Sequence, residues 1–238
     1  MKNAGKSDSI CASGSDSRVL LFDDVVIEGI GLVFEKLAVG DGYLAVAGVD
    51  EVGRGCLAGP VVAAACILNL NKPLPDGLDD SKKLTAGKRE EISAELKENC
   101  VAYAVGQIEA DEIDRINILE ATKQAMLIAI ASLSTPADYL LIDALRLKES
   151  PLEQKAIIRG DGISASIAAA SILAKVFRDA MMTDYHDEFP HYGFAGHKGY
   201  GAATHYAALR RHGPCRIHRM SFRGVVADQK PIQSVGPM

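Results

Sequence analysis

The stretch Tyr43-Leu-Ala-Val-Ala-Gly-Val-Asp50, continued by Glu51-Val-Gly-Arg-Gly55 and then by Val61-Val-Ala-Ala-Ala-Cys-Ile-Leu-Asn-Leu70, decides the fold. Two short apolar runs parted by a glycine turn read as strands of a buried sheet, and two prolines and a glycine within residues 69–80 end the second run. Working outward, residues 85–96 open as a helix, with Thr85 as N-cap and Ile92 and Leu96 on one face. Residues 101–108 read as a third strand, and residues 111–133 as one long amphipathic helix stopped by Thr135-Pro136. Tyr139-Leu-Leu-Ile-Asp143 and Ala156-Ile-Ile-Arg-Gly160 read as strands, residues 164–185 as an Ala-rich helix and residues 202–211 as another. Before the Gly40-Asp-Gly42 turn, residues 1–18 read as a loose tail, and residues 19–40 hold enough apolar side chains for a short packed element. Strands first, then strands alternating with helices, predict an α/β domain with a mixed central sheet flanked by helices.

The chain of 238 residues, 48% apolar and 24% charged, is long enough to bury a full core. Its formal net charge of −5 argues against binding nucleic acid by bulk charge, but leaves room for a local basic face. The longest apolar run, residues 60–70, falls far short of the roughly 18 residues a membrane span needs. The five cysteines, Cys11, Cys56, Cys66, Cys100 and Cys215, show no Cys-x-x-Cys spacing and are expected as reduced thiols. The first ten residues lack the basic-then-apolar order of a secretory signal, so the expected location is the cytoplasm.

Three predicted strand ends carry acids: Asp50-Glu51, Asp143 and Asp161. Such ends are where functional groups of α/β sheets gather. Four carboxylates drawn together repel one another unless hard cations sit among them, and Mg²⁺ or Mn²⁺ suits an all-oxygen donor set. Two divalent ions in such a cluster would serve phosphoryl chemistry. Taken singly, each acid also reads as a turn or capping residue, Asp161 before Gly162 above all. Gly53-Arg54-Gly55 with Gly59 is not a dinucleotide fingerprint, because the third glycine falls one residue late and a strand follows instead of a helix. It still allows a close approach of backbone N–H groups to a sugar-phosphate. Between Phe189 and Ala227 there is no acid, while five of the six histidines, Lys198 and five arginines fall there, with Tyr192, Phe194, Tyr200 and Tyr206 interleaved. This is the footprint of a phosphate-backbone contact with stacking aromatics.

Ala47-Gly-Val-Asp-Glu-Val-Gly-Arg-Gly55, Ala58-Gly-Pro-Val-Val-Ala-Ala-Ala65, Asp80-Ser-Lys-Lys-Leu84, Ile158-Arg-Gly-Asp161, Ala168-Ala-Ala-Ser-Ile-Leu-Ala-Lys175, His197-Lys-Gly-Tyr-Gly201 and Gly213-Pro-Cys-Arg-Ile-His-Arg219 closely resemble the ribonuclease HII family over residues 43–223. The resemblance implies a ribonuclease H-like fold with a small C-terminal helical part, an N-terminal extension at 1–42 and a tail at 224–238. It implies a monomeric endonuclease that cuts the RNA strand of RNA–DNA hybrids. It also implies cleavage 5′ of single ribonucleotides embedded in duplex DNA, leaving 3′-hydroxyl and 5′-phosphate ends, as in ribonucleotide excision repair and DNA replication, with a tether to the replication machinery left open. The implied site has Asp50, Glu51, Asp143 and Asp161 as catalytic acids holding two Mn²⁺ or Mg²⁺ ions. Gly53, Arg54 and Gly55 would sense the ribose 2′-hydroxyl, and Tyr200 would stack on the next sugar. Lys82, Lys83, Ser171, Lys175 and Lys198 would bind phosphates. Three positions depart from the family pattern: Cys56 stands where Pro is usual, Ala144 where Gly is common, and Gly162 where Ser or Ala is common.

The residues by themselves leave other readings open. A related ribonuclease HIII or a junction resolvase would differ in substrate choice. A non-catalytic nucleic-acid-binding module would use the acids only as caps and turns, and a small-molecule oxidoreductase is more distant still.

Overall fold

The computed structural model describes residues 18–21 and 25–226. The expected loose tail therefore lies outside the described residues except at Arg18. Two short strands, β1 (Arg18–Leu21) and β2 (Val25–Glu28), pair antiparallel. The helix α1 (Val33–Gly40) is the packed element expected before residue 40: Phe34 and Ala38 join Val46, Leu141, Ile157, Ile163 and Ile167 in one buried cluster.

The central sheet has five strands: β3 (Val46–Val52), β4 (Val61–Ile67), β5 (Ala102–Ile108), β6 (Tyr139–Asp143) and β7 (Glu153–Ile157), in the order β5-β4-β3-β6-β7. β3, β4 and β5 pair antiparallel, whereas β6 runs parallel to β3 and β7 parallel to β6, so the sheet is mixed as expected. Every residue of β4 is buried, because both faces of the sheet are covered. One face packs on α3 (Ala110–Ile116) and α4 (Ile118–Ala131) through Ile113, Met126 and Ala129. The other packs on α2 (Ala86–Asn99) and α5 (Ala165–Glu188) through Ile92, Leu96, Ile172 and Leu173. α5 crosses β3 so closely that a Cβ at Gly48 would stand 2.1 Å from the Ser166 carbonyl carbon. A third layer, α6 (Phe194–His197) and α7 (Ala203–His212), encloses Leu57, Met182, Tyr192, Phe194, Leu209 and Ile217 beyond the C-terminal half of α5.

Three local expectations change. The long helix over 111–133 is broken at Asn117, whose φ of 73° ends α3 and whose side-chain oxygen accepts from the Leu119 and Glu120 N–H groups to start α4. The last strand lies earlier than 156–160, at Glu153–Ile157. It is an edge strand with a largely polar sequence, and Arg159 (φ 57°) turns the chain out of it. β3 continues past Asp50 to Val52, so Asp50 and Glu51 lie inside the strand rather than after it. Their partners across the ladder, Ala64 and Ala63, are small enough to leave space for carboxylates there.

Candidate active site

β3, β6 and the turn between β7 and α5 bring the acids to one cleft. Asp50 on β3 is buried, and its Oδ1 accepts from the Glu51 N–H at 2.7 Å, with the Ser171 hydroxyl of α5 near enough to favour its anion. Asp143 ends β6, and its Oδ1 accepts from the Gly160 N–H at 2.7 Å. That bond ties the strand end to the short 3₁₀ turn Gly160–Gly162, which presents Asp161. Asp161 is buried, and its Oδ2 accepts from Lys82 Nζ at 2.6 Å. Asp161 thus sits in a turn after β7 and not at a strand end, as the sequence suggested.

Three of these carboxyls are destabilised as anions. Burial, then the charges of Glu51 and Asp143, raises Asp50 well above the usual carboxylate range. Burial raises Glu51 despite the opposing Arg54, and burial and then Asp161 raise Asp143. Glu51 Oε1 accepts from Arg54 at 3.2 Å, but its buried Oε2 has no partner among the described residues. Partial burial works against the charge of Lys82, yet its bond to Asp161 and the fields of Asp80 and Asp50 raise its pKa on balance.

The cleft, about 580 Å³, is lined by Asp50, Glu51, Asp143, the Gly53-Arg54-Gly55 turn, Lys82, Ser171, Lys175 and Tyr200. Asp161 reaches it through Lys82. Lys83 and Lys198 are turned elsewhere: Lys83 Nζ bonds Asp79 at 3.1 Å and Lys198 Nζ bonds Thr183 at 2.8 Å. Lys175 Nζ bonds Asp179 at 2.8 Å and stands 5.8 Å from the Tyr200 ring centre. Ser171 and Ser81 hydroxyls lie 3.0 Å apart.

Two interior arginines back the glycine turn: Arg178, which the sequence gave no reason to single out, packs against Gly53, and Arg219, read from the sequence as part of a phosphate-contact face, bonds the turn directly. Arg178 and Arg219 are both fully buried. Arg178 donates to the carbonyls of Pro60, Ala58 and Lys198 at 2.8–3.0 Å. Arg219 donates to Gly59 and Arg54 carbonyls at 2.8–3.0 Å. Burial lowers Arg219 to about 10, which still leaves it charged at neutral pH. Gly53 has φ 90°, and a Cβ there would lie 2.3 Å from Arg178 Nε, whereas a Cβ on Gly55 would meet nothing within 4 Å. Arg89 of α2 also lines the cleft and donates to the Ser81 carbonyl at 3.0 Å; its place in an ordinary polar helix gave no signal.

The acid-free stretch after Phe189 is a surface only in part. Arg210, Arg211 and Arg223 are exposed, but Arg219, His205 and His218 are interior, and Arg216 pairs with Glu188. Tyr192 and Phe194 stack on each other inside, while Tyr200, 41% exposed, faces the cleft. Among the described residues no three Asp, Glu, His or Cys side chains already stand as a metal-holding group. No helix of the described residues is long and apolar enough to cross a membrane.

The family model described as Ribonuclease HII matches residues 47–225. The chain is 54% identical over 214 residues to the Ribonuclease HII of Geobacter metallireducens, covering 90% of this chain and all of that one. Among solved structures, the ribonuclease H2 of Pyrococcus horikoshii superimposes with a TM-score of 0.64 at 26% identity, over 76% of this chain and 95% of that chain. An RNase HII from Archaeoglobus fulgidus, solved in complex with PCNA, gives 0.59 at 27% identity, over 70% and 85%.

Proposed function

The chain belongs to the ribonuclease HII family, with its ribonuclease H-like fold and its metal-dependent hydrolysis of the RNA strand of RNA–DNA hybrids, and from that premise we propose that it also cuts 5′ of single ribonucleotides embedded in duplex DNA. The products would be a 3′-hydroxyl and a 5′-phosphate. We take residues 43–223 as the catalytic unit, acting as a monomer in the cytoplasm, with roles in ribonucleotide removal and replication. The Archaeoglobus complex with PCNA supports a tether to the replication machinery here as well.

One observation carries the reading: Asp50, Glu51 and Asp143 share a cleft with the Gly53–Gly55 turn and Tyr200, so acids, a backbone sensor and a stacking ring meet at one place. The donor set fits a pair of hard cations. Four carboxylates supply only oxygen, Glu51 Oε2 is buried with no partner among the described residues, and Asp50 and Asp143 are held in mutual repulsion that a cation would relieve. Asp50, Glu51, Asp143 and Asp161 would hold two Mg²⁺ or Mn²⁺ ions. Bound there, the ions would supply Lewis acidity at the scissile phosphate.

The chain's own groups do the rest. Backbone N–H groups of Gly53–Gly55, with no side chain on either glycine in the way, approach the 2′-hydroxyl that separates RNA from DNA. Arg54, Lys82 and Lys175 receive phosphate oxygens at the cleft, and Ser171 offers its hydroxyl from the cleft wall. Lys83 and Lys198 stand further out and would serve flanking phosphates. Tyr200 packs on the sugar 3′ of the ribonucleotide and favours a deoxyribose there. The test is a DNA duplex carrying one ribonucleotide, incubated with the protein and Mg²⁺ or Mn²⁺. A single cut mapped to the 5′ side of the ribonucleotide is expected; cutting of an all-DNA duplex at a junction, or no metal-dependent cutting, would refute the reading.

A further inference from the structure

Behind Tyr200, away from the acids, two histidines lie buried with their rings tilted by 48° and their edges in contact. His205 on α7 and His218 in the following loop are 0% and 2% exposed, with their Nε2 atoms 3.0 Å apart. Burying two imidazoles is unfavourable unless every ring nitrogen is served, and here each one is. His218 Nδ1 meets the Cys215 N–H at 2.9 Å, and His205 Nδ1 meets the Tyr200 carbonyl oxygen at 2.9 Å. The two ends of this row have fixed roles, because a backbone N–H only donates and a carbonyl only accepts. His218 Nδ1 must therefore be bare and its Nε2 protonated. His205 Nε2 must accept that proton and its Nδ1–H must point at Tyr200. The Cys215 carbonyl at 3.3 Å and the Cys215 Sγ at 3.1 Å also lie near His218 Nδ1, but a proton on Nδ1 would oppose the Cys215 N–H that points at it from 2.9 Å, and the thiol can donate to the bare nitrogen. Burial, and then the facing ring, keeps His218 neutral by lowering it to about 4, and burial lowers His205.

A third ring completes the grip. His197 stacks on His205 with centroids 4.4 Å apart, donates through Nε2 to the Tyr192 carbonyl at 2.8 Å and accepts the Gly199 N–H on Nδ1 at 3.2 Å. The Tyr200 N–H in turn donates to the His197 carbonyl at 2.9 Å. The backbone on both sides of Tyr200 is thus fixed by imidazoles.

We propose that His205 and His218 are positioning residues: a one-way hydrogen-bond row from the Cys215 N–H through His218 and His205 to the Tyr200 carbonyl sets the Tyr200 ring against the substrate sugar. The role rests on the reading of Tyr200 as the sugar-stacking residue. The row exists only in one pair of tautomers, so it specifies the loop more narrowly than apolar packing would.

Nitrogen-detected NMR of histidine-labelled wild-type protein at pH 7.5 should show His205 as the Nδ1–H and His218 as the Nε2–H tautomer; any other pair overturns the row. In cleavage assays, the His205→Leu variant should lose on the order of tenfold in the ratio of single-ribonucleotide to long-hybrid cutting, within the range of a lost stacking contact. The His205→Asn variant, whose amide can present an N–H where Nδ1–H stands, should recover most of that ratio. In a Tyr200→Ala background the His205→Leu change should shift the ratio no further. An equal shift in both backgrounds, or failure of Asn to rescue, makes the histidines mere packing and overturns the proposal. Should His205→Leu not fold, the wild-type tautomers and the His218→Gln variant, carried through the same cycle, decide. Were Tyr200→Ala itself to leave the ratio unchanged, the stacking reading would fall while the tautomers still judged the row.

Discussion

Two glycines two residues apart should respond to the same substitution in opposite ways. Gly53 sits at φ 90°, a conformation that costs an L-residue roughly 1–2 kcal/mol. A Cβ there would also lie 2.3 Å from Nε and 2.9 Å from Cδ of Arg178. Arg178 cannot yield freely, because its three donors hold the carbonyls of Pro60, Ala58 and Lys198. Displacing even one of these charge-assisted bonds in the interior costs about 1.5–3 kcal/mol. The Gly53→Ala variant should therefore be destabilised by about 3–5 kcal/mol in total, with cleavage lost along with the turn. At Gly55 the backbone is unstrained and the space is open, so Gly55→Ala should change stability by less than about 0.5 kcal/mol. If the turn reads the 2′-hydroxyl as proposed, this variant should nonetheless cut ribonucleotide-containing duplex poorly, because the added methyl group would crowd that approach. Urea unfolding of both variants, paired with initial cleavage rates, measures the two effects separately. A Gly53→Ala protein as stable as wild type would refute the Arg178 clamp; a Gly55→Ala protein with full activity would refute the backbone reading of the 2′-hydroxyl.

The Asp50→Asn variant should lose at least about a hundredfold in metal-dependent turnover, as expected when a Lewis-acid site worth several kcal/mol is weakened, while binding of duplex by fluorescence anisotropy persists; near-wild-type turnover would exclude Asp50 from the site. Ala144 stands at φ 51° where glycine would be unstrained, so Ala144→Gly should be neutral or stabilising by up to about 1 kcal/mol in denaturant titration, after the entropy glycine adds to the unfolded chain. The His218→Gln variant should flatten the acid side of the stability curve. His218 in the fold is depressed to about 4, below its unfolded value, so its neutral form contributes stability that is present near neutrality and is lost as pH falls from about 6.5 through about 4. The wild type should show an extra loss of about 3 kcal/mol over that window, read as a steeper fall of Tm with acid than in the variant.

How much of this was legible in the sequence depended on what each residue's neighbours were. The apolar runs of β3, β4 and β6 announced themselves because both faces of the sheet are covered. β7 did not, because an edge strand reading Glu-Gln-Lys-Ala-Ile carries no apolar run and its apolar continuation, Ile158, is exposed outside the strand. The break at Asn117 hid inside a hydrophobic period that continues across it, although an Asn two residues before Leu119 is a plausible N-cap. The acids were visible as polar residues after apolar runs. Arg178, Arg219, His205 and His218 were read as surface charge or left unread, because a sequence shows that a residue is basic but not that backbone carbonyls from a distant turn will satisfy it. Lys83 and Lys198, read as phosphate ligands, stand away from the cleft because Asp79 and Thr183 hold them locally.

The division of labour among the cations explains why the acid cluster is left without a permanent interior counter-charge. Arg178 and Arg219 lie close beneath the cleft, yet their donors are filled by carbonyls and none is directed to a carboxylate. They bind the glycine turn rigidly without neutralising Asp50. The cations that do touch the acids are held differently: Lys82 on Asp161 and Arg54 on Glu51 have side chains 75% and 44% exposed, although the carboxylates they pair with are only 9% and 11% exposed. Such solvent-reaching side chains have room to swing away from the acids, whereas a buried, three-fold-bonded guanidinium has none. Had the sequence placed the interior arginines against the acids, the same fold would hold a permanently neutralised pocket. Feeding their charge into backbone carbonyls lets one region stiffen the glycine turn while leaving the acids, raised by burial and mutual repulsion, open to the cations they would hold.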